Sequence, residues 1–294
     1  MDYYVAVNSL GFGQTIWEVD KPNARNMMQP STLTSTLTEG PGEDVVTLVA
    51  DDMSPHVIHK LNITPGQYYP RIARPSYPRL DFPSSITPLS DEKVYRADAL
   101  RQLHFILSTL DDLFLTVEPT EANFSTYGHA FRNLLLIACT EVEMHLKGIM
   151  TANNYTPSGS RFTMNDYCKV GPAMRLSEFE LKFVQYHTIP NRQPFAAWAS
   201  ASAPLPWYKA YNAVKHNREV AFDQAKMEHV IDAVSAVIVL LAGQFGAHLG
   251  QDVDFEERPW KPVKFTSLPQ WQPSDWYHSD FSGTGTRRPK NFAF

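Results

Sequence analysis

The sequence predicts a mainly α-helical fold: an antiparallel helical bundle over residues 89–250, flanked by proline- and aromatic-rich extensions at 1–88 and 251–294 that carry a minor β component. Three observations carry this expectation. Apolar residues recur at three- and four-residue steps through 100–114, 131–149 and 227–245, the spacing that lines one face of a helix. Pro65, Pro70, Pro75, Pro78, Pro83 and Pro88 interrupt helix interiors and central strands alike, so regular structure should be sparse before the bundle. After it, Trp260, Trp271, Trp276 and Tyr277 stand between prolines, and so many large rings are expected to pack across the domain.

The 294 residues suffice for a sizeable core, and 43% apolar with 19% charged residues describes a globular chain. A formal net charge of −5 excludes a surface coated in basic residues for nonspecific nucleic-acid binding and leaves room for a local basic pocket. Cys139 and Cys168 read as reduced core residues, not as a disulfide framework. The N-terminus has no basic segment followed by an apolar one, so no standard signal peptide is expected and the protein reads as cytoplasmic. The apolar run at 231–242 is interrupted by Asp232 and Ser235 and falls short of the roughly 20 residues of a membrane span. It predicts a buried helix.

Taken in order, short strands are expected at 3–8 and 45–50, where β-branched and aromatic residues cluster. Residues 68–83, with Arg71, Arg74 and Arg79 among aromatics, read as an extended arm laid over the protein's own surface or, as the alternative, over a partner's. Ser90 with Asp91 and Glu92 marks a helix start, and this helix should end before Pro119. A second helix is expected over 125–150. Glu141 borders its apolar stripe and needs a partner, either Arg132 or Arg175, or the cluster at Lys215 and His216. Glu141 and His145 also have metal-ligand spacing but lack a third ligand, so no metal and no cofactor are expected. Thr163 and Asp166 suggest a capping box. Phe179, Leu181 and Phe183 alternate with charged residues, as in a half-buried strand of a small hairpin or one paired with the N-terminal segment. Phe195 and Trp198 look like core anchors, Asp223 is expected to cap the last long helix, and 283–289 should be mobile.

The chemistry concentrates in residues 207–219. No Gly-rich phosphate loop, Gly-x-Ser-x-Gly elbow or cysteine zinc pattern occurs. On a helical period, Lys209, Asn212, His216 and Glu219 share one stripe, with Lys215 beside it, while Trp207, Tyr211, Val214 and Arg218 share another.

The block YGHAFRNLLLIACTEVE at 127–143, followed by WYKAYNAVKHNRE at 207–219, resembles the HEPN (higher eukaryotes and prokaryotes nucleotide-binding) domains, over roughly residues 95–250. The resemblance implies a metal-independent RNA endonuclease or an RNA- or nucleotide-binding protein of bacterial stress response, toxin–antitoxin or antiphage systems. It also implies a homodimer, with a cognate protein partner in some members and no membrane. His216 matches the family histidine and Asn212 the polar residue, while Tyr211 stands where the family carries arginine. In the catalytic role, His216 would be general acid or base, Lys215 or Arg218 would supply the positive charge and Asn212 would orient the phosphate, with Glu141 and Tyr211 in support. The alternative is a non-catalytic interaction or dimerisation module of the same family.

Overall fold

Residues 2–60 hold an antiparallel sheet where the proline content predicts little regular structure. The computed structural model describes residues 1–9, 13–28, 35–76, 79–84, 90–199, 203–247, 263–281 and 287–294. The sheet strands are β1 (Asp2–Val7), β2 (Gly13–Asp20), β3 (Asn23–Asn26), β4 (Thr36–Thr38) and β5 (Val57–Lys60), in the order β4-β3-β2-β1-β5. Among these residues, Pro22, Pro41 and Pro55 lie between strands, in connections where a missing N–H costs the ladder nothing. The run at 45–50 is helical, within α1 (Val45–Asp52), because the Asp44 carboxylate caps it by accepting from Thr47 N at 3.2 Å.

The chain divides into two units. Unit 1 comprises Met1–Tyr69, Arg74–Ile86 and Gln270–Lys290. One core of its sheet is Trp17, Val19 and Ala24 against Val45 and Val49 of α1. A second core joins Val5, Val7, Ile16 and Leu61 to Trp276, with Trp271 and Phe281 packed beside them. Two of the tail's aromatic residues, Trp271 and Trp276, therefore finish this sheet; Trp260 lies outside the described residues. Unit 1 also holds β6 (Gln67–Tyr68), β7 (Arg74–Ser76) and β8 (Arg79–Ser84), the last two paired with each other.

Unit 2 comprises Pro70–Ala73, Thr87–Pro269 and Asn291–Phe294. Its long helices are α2 (Ser90–Thr116), α3 (His129–Ala152), α6 (Pro206–His216) and α8 (Met227–Phe245), with the short α4 (Met164–Tyr167), α5 (Val170–Met174) and α7 (Arg218–Ala221). Helix α8 contacts α2, α3 and α6, which explains its apolar circumference. Among the described residues it alone has the length and composition of a membrane span, and 83% of that window is buried inside the protein. Its N-cap position is Lys226, with no side-chain cap, and Asp223 lies in a preceding 3-10 turn. The Thr163–Asp166 capping box forms as its spacing predicts. Strand β9 (Glu180–Phe183) pairs with β10 (Val263–Ser267), and Leu181 also forms a single antiparallel bridge with Arg192, a short hairpin contact close in sequence; among the described residues its partners are not in the N-terminal segment. β11 (Arg288–Pro289) pairs with β6 in unit 1; residues 283–286 lie outside the described residues.

The mainly α-helical class is therefore corrected to mixed α and β. Helix makes up 47% of the structure, beside the five-stranded antiparallel sheet and smaller ones. Periodicity reads the long helices correctly but has no means of counting short strands whose prolines fall in the turns.

Candidate functional site

Helix α6 starts after Leu205 with Pro206 in its first turn, where a missing N–H is tolerated. Trp207 anchors it: the indole is 1% exposed, donates to the Pro194 carbonyl at 2.9 Å and meets Phe195 edge-on. Phe195 and Trp198 are both buried beside it. The helix ends at His216 with Asn217 as cap, and Arg218 opens the separate α7. Asn212 and His216 thus share one face, but Glu219 and Arg218 belong to a different helix from the stripes drawn for a continuous one. Lys215, His216 and Arg218 are all exposed, Asn212 is half-buried and Tyr211 is 1% exposed. Lys215 and His216 in the last turn also suit the negative end of the helix dipole.

Beneath this basic end lies a carboxylate, and it is Glu143 of α3. Tyr208 donates its hydroxyl to Glu143 Oε1 at 2.6 Å, and the Tyr211 hydroxyl lies 3.4 Å from Oε2. Lys215 Nζ donates to the Tyr211 oxygen at 2.7 Å and sits 4.7 Å from the ring centroid. Burial pushes the Tyr208 phenol far above its ordinary value, and the hydrogen bond to Glu143 adds to that. The bond to Tyr211 raises Lys215, with Glu143 contributing against partial burial, so the ammonium is held charged at neutral pH. The arrangement fixes a cation at the surface over a buried phenol and a half-buried carboxylate.

Glu141 is elsewhere. Two residues along a helix turn a side chain to nearly the opposite face, so Glu141 meets neither Lys215 nor His216, and neither Arg132 nor Arg175 is its partner. Arg175 pairs with Glu178 at 2.5 Å. Glu141 Oε1 lies 3.2 Å from Nε2 of His145, one turn on, in contact but without the alignment of a good hydrogen bond. His145 is fully buried; its Nδ1 accepts the Tyr95 hydroxyl at 2.6 Å, with Gln244 Nε2 at 3.4 Å. Two donors converging on Nδ1 leave the ring proton on Nε2, facing Glu141. The guanidinium of Arg71 completes the network, donating to the Tyr95 oxygen and, through Nε at 2.8 Å, to Gln244 Oε1. Burial holds the His145 pKa below its ordinary value against the pull of Glu141.

The structure therefore joins Tyr211 and Lys215 by direct contact, leaves Asn212, His216 and Arg218 near them by chain position alone, and sets Glu141 in a separate buried network. The residue that sequence reasoning missed here is Tyr208; Glu143, an acid that could pair with Lys215 or Arg218, meets the phenols of Tyr208 and Tyr211. Glu143 stands four residues after the buried Cys139, so the helical period puts it on the side that α6 covers. Arg71, Tyr95 and Gln244 are far apart in sequence, and no local pattern links them. Among the described residues, no group of three or more His, Cys, Asp or Glu side chains could hold a metal ion. Comparisons with protein-family models, curated proteins and solved structures return no match for this chain.

Proposed function

We propose that the end of α6 handles RNA or a nucleotide, as the resemblance of residues 127–143 and 207–219 to HEPN domains implies. The observation that supports this is the exposure of Lys215, His216 and Arg218 within four residues, with Lys215 steadied from below by the Tyr211 hydroxyl. Two exposed cations, one of them held by Tyr211, can hold a phosphate diester, and an exposed imidazole offers a proton donor or acceptor to a ribose 2′-hydroxyl or a leaving oxygen. In the catalytic form, His216 is general acid or base, Lys215 and Arg218 stabilise the charge that develops on phosphate, and Asn212 orients it. The same resemblance carries the setting: a cytoplasmic homodimer in bacterial stress or phage defence, with a cognate protein partner.

The test is cleavage of single-stranded RNA by the purified protein in the presence of a chelator. Cleavage by wild type that is lost in His216→Ala supports the catalytic form; no cleavage by wild type ends it. A second reading, binding without cleavage, is favoured by one observation. Tyr211 occupies the family's arginine position and is buried with its hydroxyl committed to Glu143 and Lys215, so it supplies no cation to a substrate. Retention of labelled RNA without cleavage is its signature.

A further inference from the structure

We propose that unit 2 carries an open track for a single strand of RNA, running from the Lys215 end of α6 across α3 to α4 and the turn before it. This rests on the RNA reading of α6 and extends it to Lys147, Tyr155, Phe162 and Lys169, which lie outside the two blocks that carry the resemblance. A single strand is gripped by exposed cations that follow its phosphates and by rings on which its bases stack. Both kinds of group alternate here. Lys215 lies over Tyr211, and the Tyr211 and Tyr208 rings are 5.4 Å apart. Tyr208 binds Glu143, and Lys147 lies one turn further along the same face of α3. Lys147 Nζ is 6.0 Å from the Phe162 ring, Phe162 is 6.2 Å from Tyr155, and Lys169 Nζ is 4.8 Å from the Tyr155 ring.

Exposure and charge agree with that use. Lys147, Lys169 and Lys215 are exposed, and Tyr155, Phe162 and Tyr208 are half-buried, so each ring is supported from behind and keeps part of its surface in solvent. Phe162 rests on Tyr167, parallel within 7° at 6.0 Å, which makes it a backed platform. The acids along the strip are engaged: both Glu143 oxygens meet phenols, and Asp166 accepts from Tyr155, from the Thr163 amide and from the Thr163 hydroxyl. The lysines stay exposed, although Lys215 and Lys169 each give one ammonium hydrogen to a phenol, Tyr211 and Tyr155. A protein partner is the weaker match, since lysine is depleted from protein interfaces.

Binding of a fluorescent oligouridylate to the full-length protein, followed by anisotropy across a salt series, tests the track. Phe162→Leu keeps an apolar side chain and is expected to weaken binding about tenfold. Lys147→Gln with Lys169→Gln, both at exposed positions, is expected to lower the slope of log affinity against log salt by about 1.4. Thermal melts confirm folding, and if Phe162→Leu melts early the lysine pair decides alone. If wild type binds no RNA, the track and the RNA reading of α6 both fall. If wild type binds, Lys215→Gln weakens it and the Phe162 and lysine-pair variants bind as wild type, the track is overturned and the α6 reading survives. Equal affinity for an RNA duplex also overturns it, because paired bases offer no faces for stacking.

Discussion

His145 has no exposed surface, and the groups around it dictate where its proton sits. With Nδ1 accepting from Tyr95, replacement Tyr95→Phe leaves a buried acceptor without its donor and removes an acceptor from Arg71. The expected loss is about 1–3 kcal/mol in urea unfolding. A second buried histidine, His278, has no side-chain partner among the described residues, and burial lowers it from 6.5 to about 4. A histidine whose folded-state pKa lies below its unfolded value binds fewer protons folded than unfolded. Its stabilising share is therefore whole above 6.5 and is lost as pH falls through the window down to about 4. In His278→Phe, the stability lost between neutral pH and about pH 5 should shrink by about 1–2 kcal/mol relative to wild type, by urea unfolding at both pH values. An undiminished loss would mean that the ring is not held neutral. At this scale little was legible in the sequence. That Glu141 needed a partner followed from its place beside an apolar stripe, and His145 stands one turn on, but Tyr95, Gln244 and Arg71, which surround that ring, come from distant parts of the chain.

Helix α3 supplies both clusters from opposite faces, and its one glycine shows what the arrangement demands. A Cβ at Gly148 would overlap the Arg71 guanidinium, which Gln244 and Tyr95 hold in place. Alanine at a helix interior otherwise stabilises by up to about 1 kcal/mol. Here Gly148→Ala should instead destabilise by about 1–3 kcal/mol by overpacking. Adding Arg71→Ala should recover most of the Gly148→Ala loss, a coupling that a double-mutant cycle of unfolding energies measures. The helices themselves were readable because their apolar residues repeat over many turns. Val45–Asp52 was misread as a strand because its valines favour β structure in isolation, whereas the Asp44 cap decides the local outcome. The five-stranded sheet escaped notice because proline density was taken over the whole segment, and its effect depends on position within it.

Each unit is assembled from three stretches of chain. In unit 2 the last of these is very short: the amide of Phe292 donates to Asn153 Oδ1 at 2.9 Å, and Phe294 meets the Tyr155 ring edge-on at 5.9 Å. Asn153 in turn donates to the Pro70 carbonyl at 2.8 Å, so one buried side chain ties a segment from early in the chain to the last four residues. Deleting residues 291–294 should cost roughly 1–2 kcal/mol and lower the melting temperature of this unit by about 2–8 °C, by calorimetry. An unchanged melt would show that these contacts contribute nothing.

That interleaving governs the order in which the protein can be finished as it is made. The sheet at residues 2–60 is made before Trp276, yet one of its two cores includes that residue. Until that residue leaves the ribosome, Val5, Val7 and Ile16 have an uncovered apolar face, a surface that a chaperone would hold in the interval.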